Sequence, residues 1–196
     1  MRILIALLLI ALLNACSTYS GPEESVEIST ETTIEQLAGL YLNAGEPSGY
    51  LSQVIWGDGA INTGPDKKLL NHSEIEYIQV ISTHSSITVK AIAGNCSAYE
   101  KEYMLGRDFE MNNGEIILSS EFSAITRGVG DPLVGPSAEK TLLSLDTQGH
   151  GIYRNEFVAA GLVYLLVPVA IAGKSEIRFK KTTANESFEK CAAVSK

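Results

Sequence analysis

Ile87-Thr88-Val89-Lys90-Ala91, Gly94-Asn95 and Tyr99-Glu100-Lys101-Glu102-Tyr103 decide the fold class. Ile87, Val89 and Ala91 alternate with Thr88 and Lys90, and Glu100 and Glu102 alternate with Tyr99, Lys101 and Tyr103. A period of two is the repeat of a strand with one buried face, and the Gly-Asn pair between the runs is turn chemistry.

The same pattern continues outward. Ile116, Leu118 and Phe122 alternate with Ile117, Ser119 and Glu121; Leu143 and Leu145 with Ser144 and Asp146; Ile177 and Phe179 with Glu176, Arg178 and Lys180. Asn112-Asn113-Gly114, the stretch from Gly128 to Pro136, and Gln148-Gly149-His150-Gly151 separate the runs as turns or loops. Short strands without long intervening helices predict a mostly β chain, an antiparallel meander of about seven to nine strands forming a barrel or sandwich. Upstream, Thr32-Thr33-Ile34-Glu35 has the spacing of a capping box and predicts a short helix ended by Gly39. A first strand is expected over Leu40–Asn43. Leu51, Val54 and Ile55 share a helical face, so a second short helix is expected over residues 49–56.

Residues 3–13 are eleven consecutive apolar side chains behind Arg2, followed by Leu13-Asn14-Ala15-Cys16. Eleven is far short of the ~20 residues of a membrane-spanning helix and suits a secretory h-region. The Leu-Asn-Ala-Cys tetrad resembles the lipobox of bacterial lipoproteins. The resemblance implies a signal peptide over residues 1–15, acylation (palmitate among the chains) at Cys16, and outer-membrane sorting through Ser17, with the domain in the periplasm. Residues 16–31 are polar and are expected as a flexible tether, leaving a single β-rich domain over 32–196. Leu37-Ala38-Gly39-Leu40-Tyr41 resembles the Gly-x-Trp opening of lipocalins, with Tyr41 in place of the tryptophan, and implies a calycin-like barrel.

Export also bears on the two remaining cysteines, Cys96 and Cys191. In an oxidising compartment a disulfide between them is expected, closing a long loop. The whole chain has 15 Lys and Arg against 23 Asp and Glu, a formal charge of −8; removal of residues 1–15 takes away Arg2 and leaves 181 residues at −9. An acidic body argues against nucleic acid and against docking on anionic head groups.

Phe157 to Ala172 is sixteen residues without a charge. Gly161 and Pro168 break a helix there, and Pro168 argues against a central strand. Three readings stay open: strand ends joined by an apolar loop in the core, an exposed loop that docks on a partner or dips into the membrane, and the wall of an apolar ligand cavity. Leu162, Tyr164, Leu165, Leu166, Val167 and Pro168 are the candidate interaction loop.

No catalytic residue, cofactor or metal is expected. His72, His84 and His150 lie in polar settings without metal-ligand spacing and read as surface histidines. No Gly-x-Ser-x-Gly elbow occurs, though a scattered Ser-His-Asp triad remains open. Gly128 to Gly135 reads as an exposed loop, because Pro132 and the absence of a following helix remove a phosphate loop. Asp58, Asn62 and Asp66 lack calcium-loop spacing and read as a turn cluster. Tyr99, Tyr103 and Phe109 are expected to pack a core or pair across strands. The chain is thus expected to be a non-enzymatic binding, scaffold or assembly module of the envelope, partnered by an envelope protein or an apolar ligand. The alternatives are a calycin-like carrier of a lipid or other apolar ligand, and an envelope hydrolase.

Overall fold

A computed structural model of the chain describes residues 16–23, 27–63, 69–126, 133–163, 167–182 and 188–191. It is mostly β with antiparallel sheets and almost no helix, the fold class that the alternating runs predict, and the sheets do not close into a barrel. Residues 1–15 lie outside the described residues. The strands are β1 (Cys16–Ser20), β2 (Gly39–Leu42), β3 (Ile61–Asn62), β4 (Leu69–Leu70), β5 (Tyr77–Ser82), β6 (Ser86–Ala93), β7 (Cys96–Met104), β8 (Glu110–Asn112), β9 (Glu115–Thr126), β10 (Leu133–Leu145), β11 (Gly151–Val163), β12 (Val167–Phe179) and β13 (Lys181–Thr182). One α-helix, α1, spans Leu51–Trp56, and 3₁₀ turns occur at Glu35–Leu37 and His72–Glu74.

The chain divides into two compact units. The larger comprises Gly21–Leu118, Leu142–Tyr153 and Glu176–Lys196. Its five-stranded sheet runs β13-β2-β5-β6-β7. Ile87, Val89 and Ala91 on β6 turn into the core, as their alternation predicts, where Ile78 and Phe179 are fully buried. A register shift between Ala91 and Ile92 lets Ile92 bury as well, breaking the period of two. The β8–β9 hairpin turns at Asn113 and Gly114, which have φ of 50° and 77°. Two positive φ values suit Asn-Gly, and a Cβ on Gly114 would come within 2.9 Å of the Thr30 backbone.

The smaller unit comprises Met1–Ser20, Ser119–Thr141 and Arg154–Ser175, so it takes one part of each of β9, β10, β11 and β12. Within it β1 pairs in parallel with β12, Cys16 opposite Ile171 and Ser20 opposite Ser175. The stretch expected as a tether therefore contains a strand at its first residues. β12 offers an open row of backbone groups, and an extended polar segment satisfies them. Ile28 bridges Asp146 farther along the same stretch, in the larger unit. Gly135 lies against Ala160 and Gly161, Asn155 donates to Glu139 at 2.7 Å, and Gly173 lies against Phe157.

Three further local expectations are corrected. The Thr32–Glu35 capping box does not form. The single 3₁₀ turn begins at Ile34, Thr32 Oγ1 donates back to Ser29 O at 3.2 Å, and Glu35 engages His84 instead. A box does form at Asn71 and Glu74. Leu133 to Pro136, expected in a loop, belongs to β10. Pro168 belongs to β12, which lies between β1 and β11. The β1 ladder begins at Ile171, so the missing N–H of Pro168 falls outside it.

Candidate functional site

The larger unit holds two features with chemistry: a buried polar knot and an apolar cavity. The knot centres on Asn43, which follows β2 and is fully buried. Its Nδ2 donates to His72 O at 2.7 Å and to Ile75 O at 3.0 Å, and its Oδ1 accepts from Ser52 N at 2.8 Å. One side chain thus serves three backbone groups that no ladder reaches. It fixes the first turn of α1 against the His72–Glu74 turn. The His72 ring completes the knot, with Nε2 3.0 Å from Gly59 O and Nδ1 2.9 Å from Ser52 Oγ. A carbonyl only accepts, so Nε2 carries the proton and Ser52 Oγ donates to Nδ1.

His72 is therefore a core histidine, correcting the surface reading. A serine hydroxyl on a histidine has the outline of a nucleophile and base. Here Ser52 is 0 % exposed and the far nitrogen of His72 faces a backbone carbonyl, so no substrate can reach this hydroxyl. Its role is to hold α1.

The cavity has a volume of about 100 Å³. Leu51 and Ile55 of α1, Val89 of β6, Phe109 and Phe179 wall it with carbon. Ile55 and Val80 are half-buried, so part of the wall is also protein surface. Few of the lining residues carry a polar side chain: Tyr41, Tyr103 and Ser144. Tyr41 donates to Leu37 O at 2.8 Å, and Ser144 donates to Gly114 O at 3.2 Å. The Tyr103 hydroxyl is buried without a hydrogen-bond partner, and so is the Trp56 indole N–H. Burial pushes the Tyr103 phenol up to about 12; the nearby Trp56 N–H tempers the shift without reaching hydrogen-bonding geometry. Burial also raises Tyr41 strongly. The site is an apolar pocket beside one buried phenol that has no hydrogen-bond partner among the described residues.

Cys96 and Cys191 are bridged, with Cα atoms 5.0 Å apart across a sequence separation of 95. Cys191 N donates to Ser97 O at 3.0 Å, so backbone bonds accompany the bridge. Cys16 opens β1. Of the candidate interaction loop, Leu162 lies on β11 and Val167 and Pro168 on β12, while Tyr164, Leu165 and Leu166 lie outside the described residues. His84 is an exposed partner of Glu35, and His150 Nδ1 accepts from Lys181 N at 3.0 Å. Asp58 accepts from Gln53 at 2.7 Å, Asn62 lies on β3, and Asp66 is outside the described residues. Of Gly128 to Gly135, Leu133 to Gly135 belong to β10 and the remainder is not described. The aromatic trio divides: Tyr103 and Phe109 line the cavity, while Tyr99 packs edge-on against Trp56 with ring centroids 5.3 Å apart. Among the described residues, no group of three or more His, Cys, Asp or Glu could hold a metal ion.

Asn43 and the Trp56–Tyr103 pair are functional candidates that the sequence does not disclose. Asn43 reads in sequence only as the last residue of the expected first strand, ahead of a Gly-Pro turn. No family profile, curated protein or solved structure matches this chain.

Proposed function

We propose that this chain is an acyl-anchored, non-enzymatic binding module of the outer membrane, whose larger unit receives an apolar group of a partner protein. The Leu13-Asn14-Ala15-Cys16 tetrad supports the anchor, and the Cys96–Cys191 bridge fits an oxidising compartment. The cavity carries the binding half of the reading. It is smaller than the ~150 Å³ that accommodates one benzene ring and well below the ~300–1,000 Å³ of drug-sized pockets. At about 100 Å³ it suits an aliphatic side chain, and a whole acyl lipid would not fit. The size therefore favours a partner's anchoring side chain over a lipid carrier.

The test is native mass spectrometry of the soluble protein, residues 17–196, exported to the periplasm and purified without detergent. The expected result is a clean mass; a stoichiometric lipid adduct would replace this reading with the carrier. In cells, Cys16→Ser is expected to release the protein from the membrane fraction, and persistent membrane binding would refute the anchor.

A further inference from the structure

A lysine stands in the row of residues that walls the cavity. Pairing sets Val80 of β5 opposite Val89 of β6, and Val89 opposite Lys101 of β7. Residues directly opposite one another share a face of the sheet, and both valines line the cavity. Lys101 therefore takes the next inward position beside Val89. Its side chain is exposed, and its Nζ lies 4.7 Å from the centre of the Tyr103 ring, which also lines the cavity. This cation–π contact holds the ammonium beside the apolar wall and leaves its N–H donors open to an anion.

The chain supplies no such anion. Lys101 makes no ion pair among the described residues. Its sequence neighbours Glu100 and Glu102 stand opposite Lys90 and Thr88, on the other face of the sheet. Glu100 lies 3.8 Å from Lys90 and 3.9 Å from Lys190. Asp108 pairs with Arg107 at 2.7 Å and accepts from Met104 N at 2.8 Å. Lys181 also approaches a cavity-lining ring, 5.4 Å from the centre of Tyr41, but it is half-buried and donates to Gln36 O at 2.9 Å. Of these two lysines, Lys101 is the one free to receive a ligand.

We propose that the occupant of the cavity is the C-terminal residue of a partner chain, with its aliphatic side chain in the cavity and its terminal carboxylate on Lys101. The inference rests on the cavity-binding reading above and adds the chemistry of the partner. A volume of about 100 Å³ limits the anchor to one aliphatic side chain. Reach then selects the chain end. Directly opposed residues lie ~5 Å apart, so the carboxylate that meets Lys101 belongs to the same residue whose side chain meets Val89. An aliphatic residue carries a carboxylate only at the end of a chain. The formal charge of −8 repels an anion at long range, so Lys101 acts at contact, as a selector, rather than by steering.

N-acetyl-leucine and its amide test this, because they share a side chain and differ in the terminal carboxylate. Each is titrated into residues 17–196 while the Val89 methyl and Tyr103 ring NMR signals are followed. The acid should bind about two- to fivefold more tightly than the amide, the range of an exposed ion pair. That ratio should fall toward one in about 1 M salt, where the screening length shrinks to ~3 Å. It should also collapse in Lys101→Gln and return in Lys101→Arg; the side chain is exposed, so neither substitution disturbs the core.

Saturation by both probes with a ratio near one, or a ratio that Lys101→Gln leaves unchanged, would overturn the role of Lys101 while the cavity reading stands. Saturation by neither would overturn both. A third probe, N-acetyl-leucyl-aspartamide, moves the carboxylate to the following side chain. Tighter binding of that probe than of N-acetyl-leucine would assign Lys101 to an acidic residue inside the partner chain and overturn the chain end.

Discussion

Asn43→Ala tests the reasoning about the polar knot. The substitution removes two donors and one acceptor from a fully buried site, leaving Ile75 O and Ser52 N without partners and His72 O with only the 3.3 Å bond from Ile75 N. A buried polar group left unsatisfied costs about 1–3 kcal/mol. Two such groups and a weakened third bring the expected loss to roughly 3–5 kcal/mol, a large part of the stability of an ordinary domain. Urea unfolding is followed by the fluorescence of Trp56, the single tryptophan, which lies in the larger unit. With a urea dependence of about 2 kcal/mol per molar, the midpoint should fall by about 2 M. Asn43→Asp should do no better at neutral pH, since a carboxylate would face two carbonyl oxygens. A midpoint shift below about 0.5 M, roughly 1 kcal/mol, would mean that water replaces the side chain and that the knot does not hold α1.

Three further outcomes follow from the same structure. Cys191→Ser, or reduction of the wild type, should cost about 4–5 kcal/mol and lower the Tm by roughly 10–15 °C; an unchanged calorimetric Tm would refute a constraining role for the bridge. Tyr103 and Tyr41 keep their protons to higher pH in the folded state than unfolded tyrosine does, so their contribution is complete below about pH 10 and declines as pH rises toward 12. Lys181, lowered by burial, works in the opposite sense over the same alkaline range. Tyr103→Phe should therefore flatten the alkaline loss of stability in a pH series of urea midpoints, and an unchanged slope would refute the assignment. Val89→Ile adds one methylene beside the cavity and should stabilise by about 0.8 kcal/mol where the added group fills void; destabilisation would show that the wall is already closely packed there.

The fold class was legible because alternation is a local signal that one buried face imposes. Ile87, Val89 and Ala91 read correctly for that reason, as did the short helix at Leu51 and the Asn113-Gly114 turn. Strand length was less legible. Leu133 to Pro136 carries Gly and Pro, residues that punctuate loops elsewhere, yet neighbouring strands hold it extended in β10. The period of two failed at Ile92, where a register shift buries two successive residues. Thr32 and Glu35 satisfied a capping pattern, but the 3₁₀ turn beside Gly39 begins too late to use it, and Glu35 went to His84, 49 positions away in sequence. The cysteine pairing was legible because only two partners remained once Cys16 was assigned to the lipobox. Asn43, Ser52 and His72 were not legible as a unit. Their link is tertiary, spanning 29 residues between Asn43 and His72, and no local spacing signals it. The cavity likewise depends on how α1, β6 and the segment around Phe109 meet, which residue identity alone does not state.

The binding claim is tested most directly by titrating the soluble protein with isobutanol, which carries the side-chain carbons of leucine and one hydroxyl, while following methyl and aromatic NMR signals. The expected result is saturable shifts confined to Val89, Ile55, Phe109 and Tyr103, abolished by filling the cavity with Val89→Phe. Shifts that are linear, or spread over the surface without saturation, would contradict it and leave the cavity as a packing void with no part in recognition.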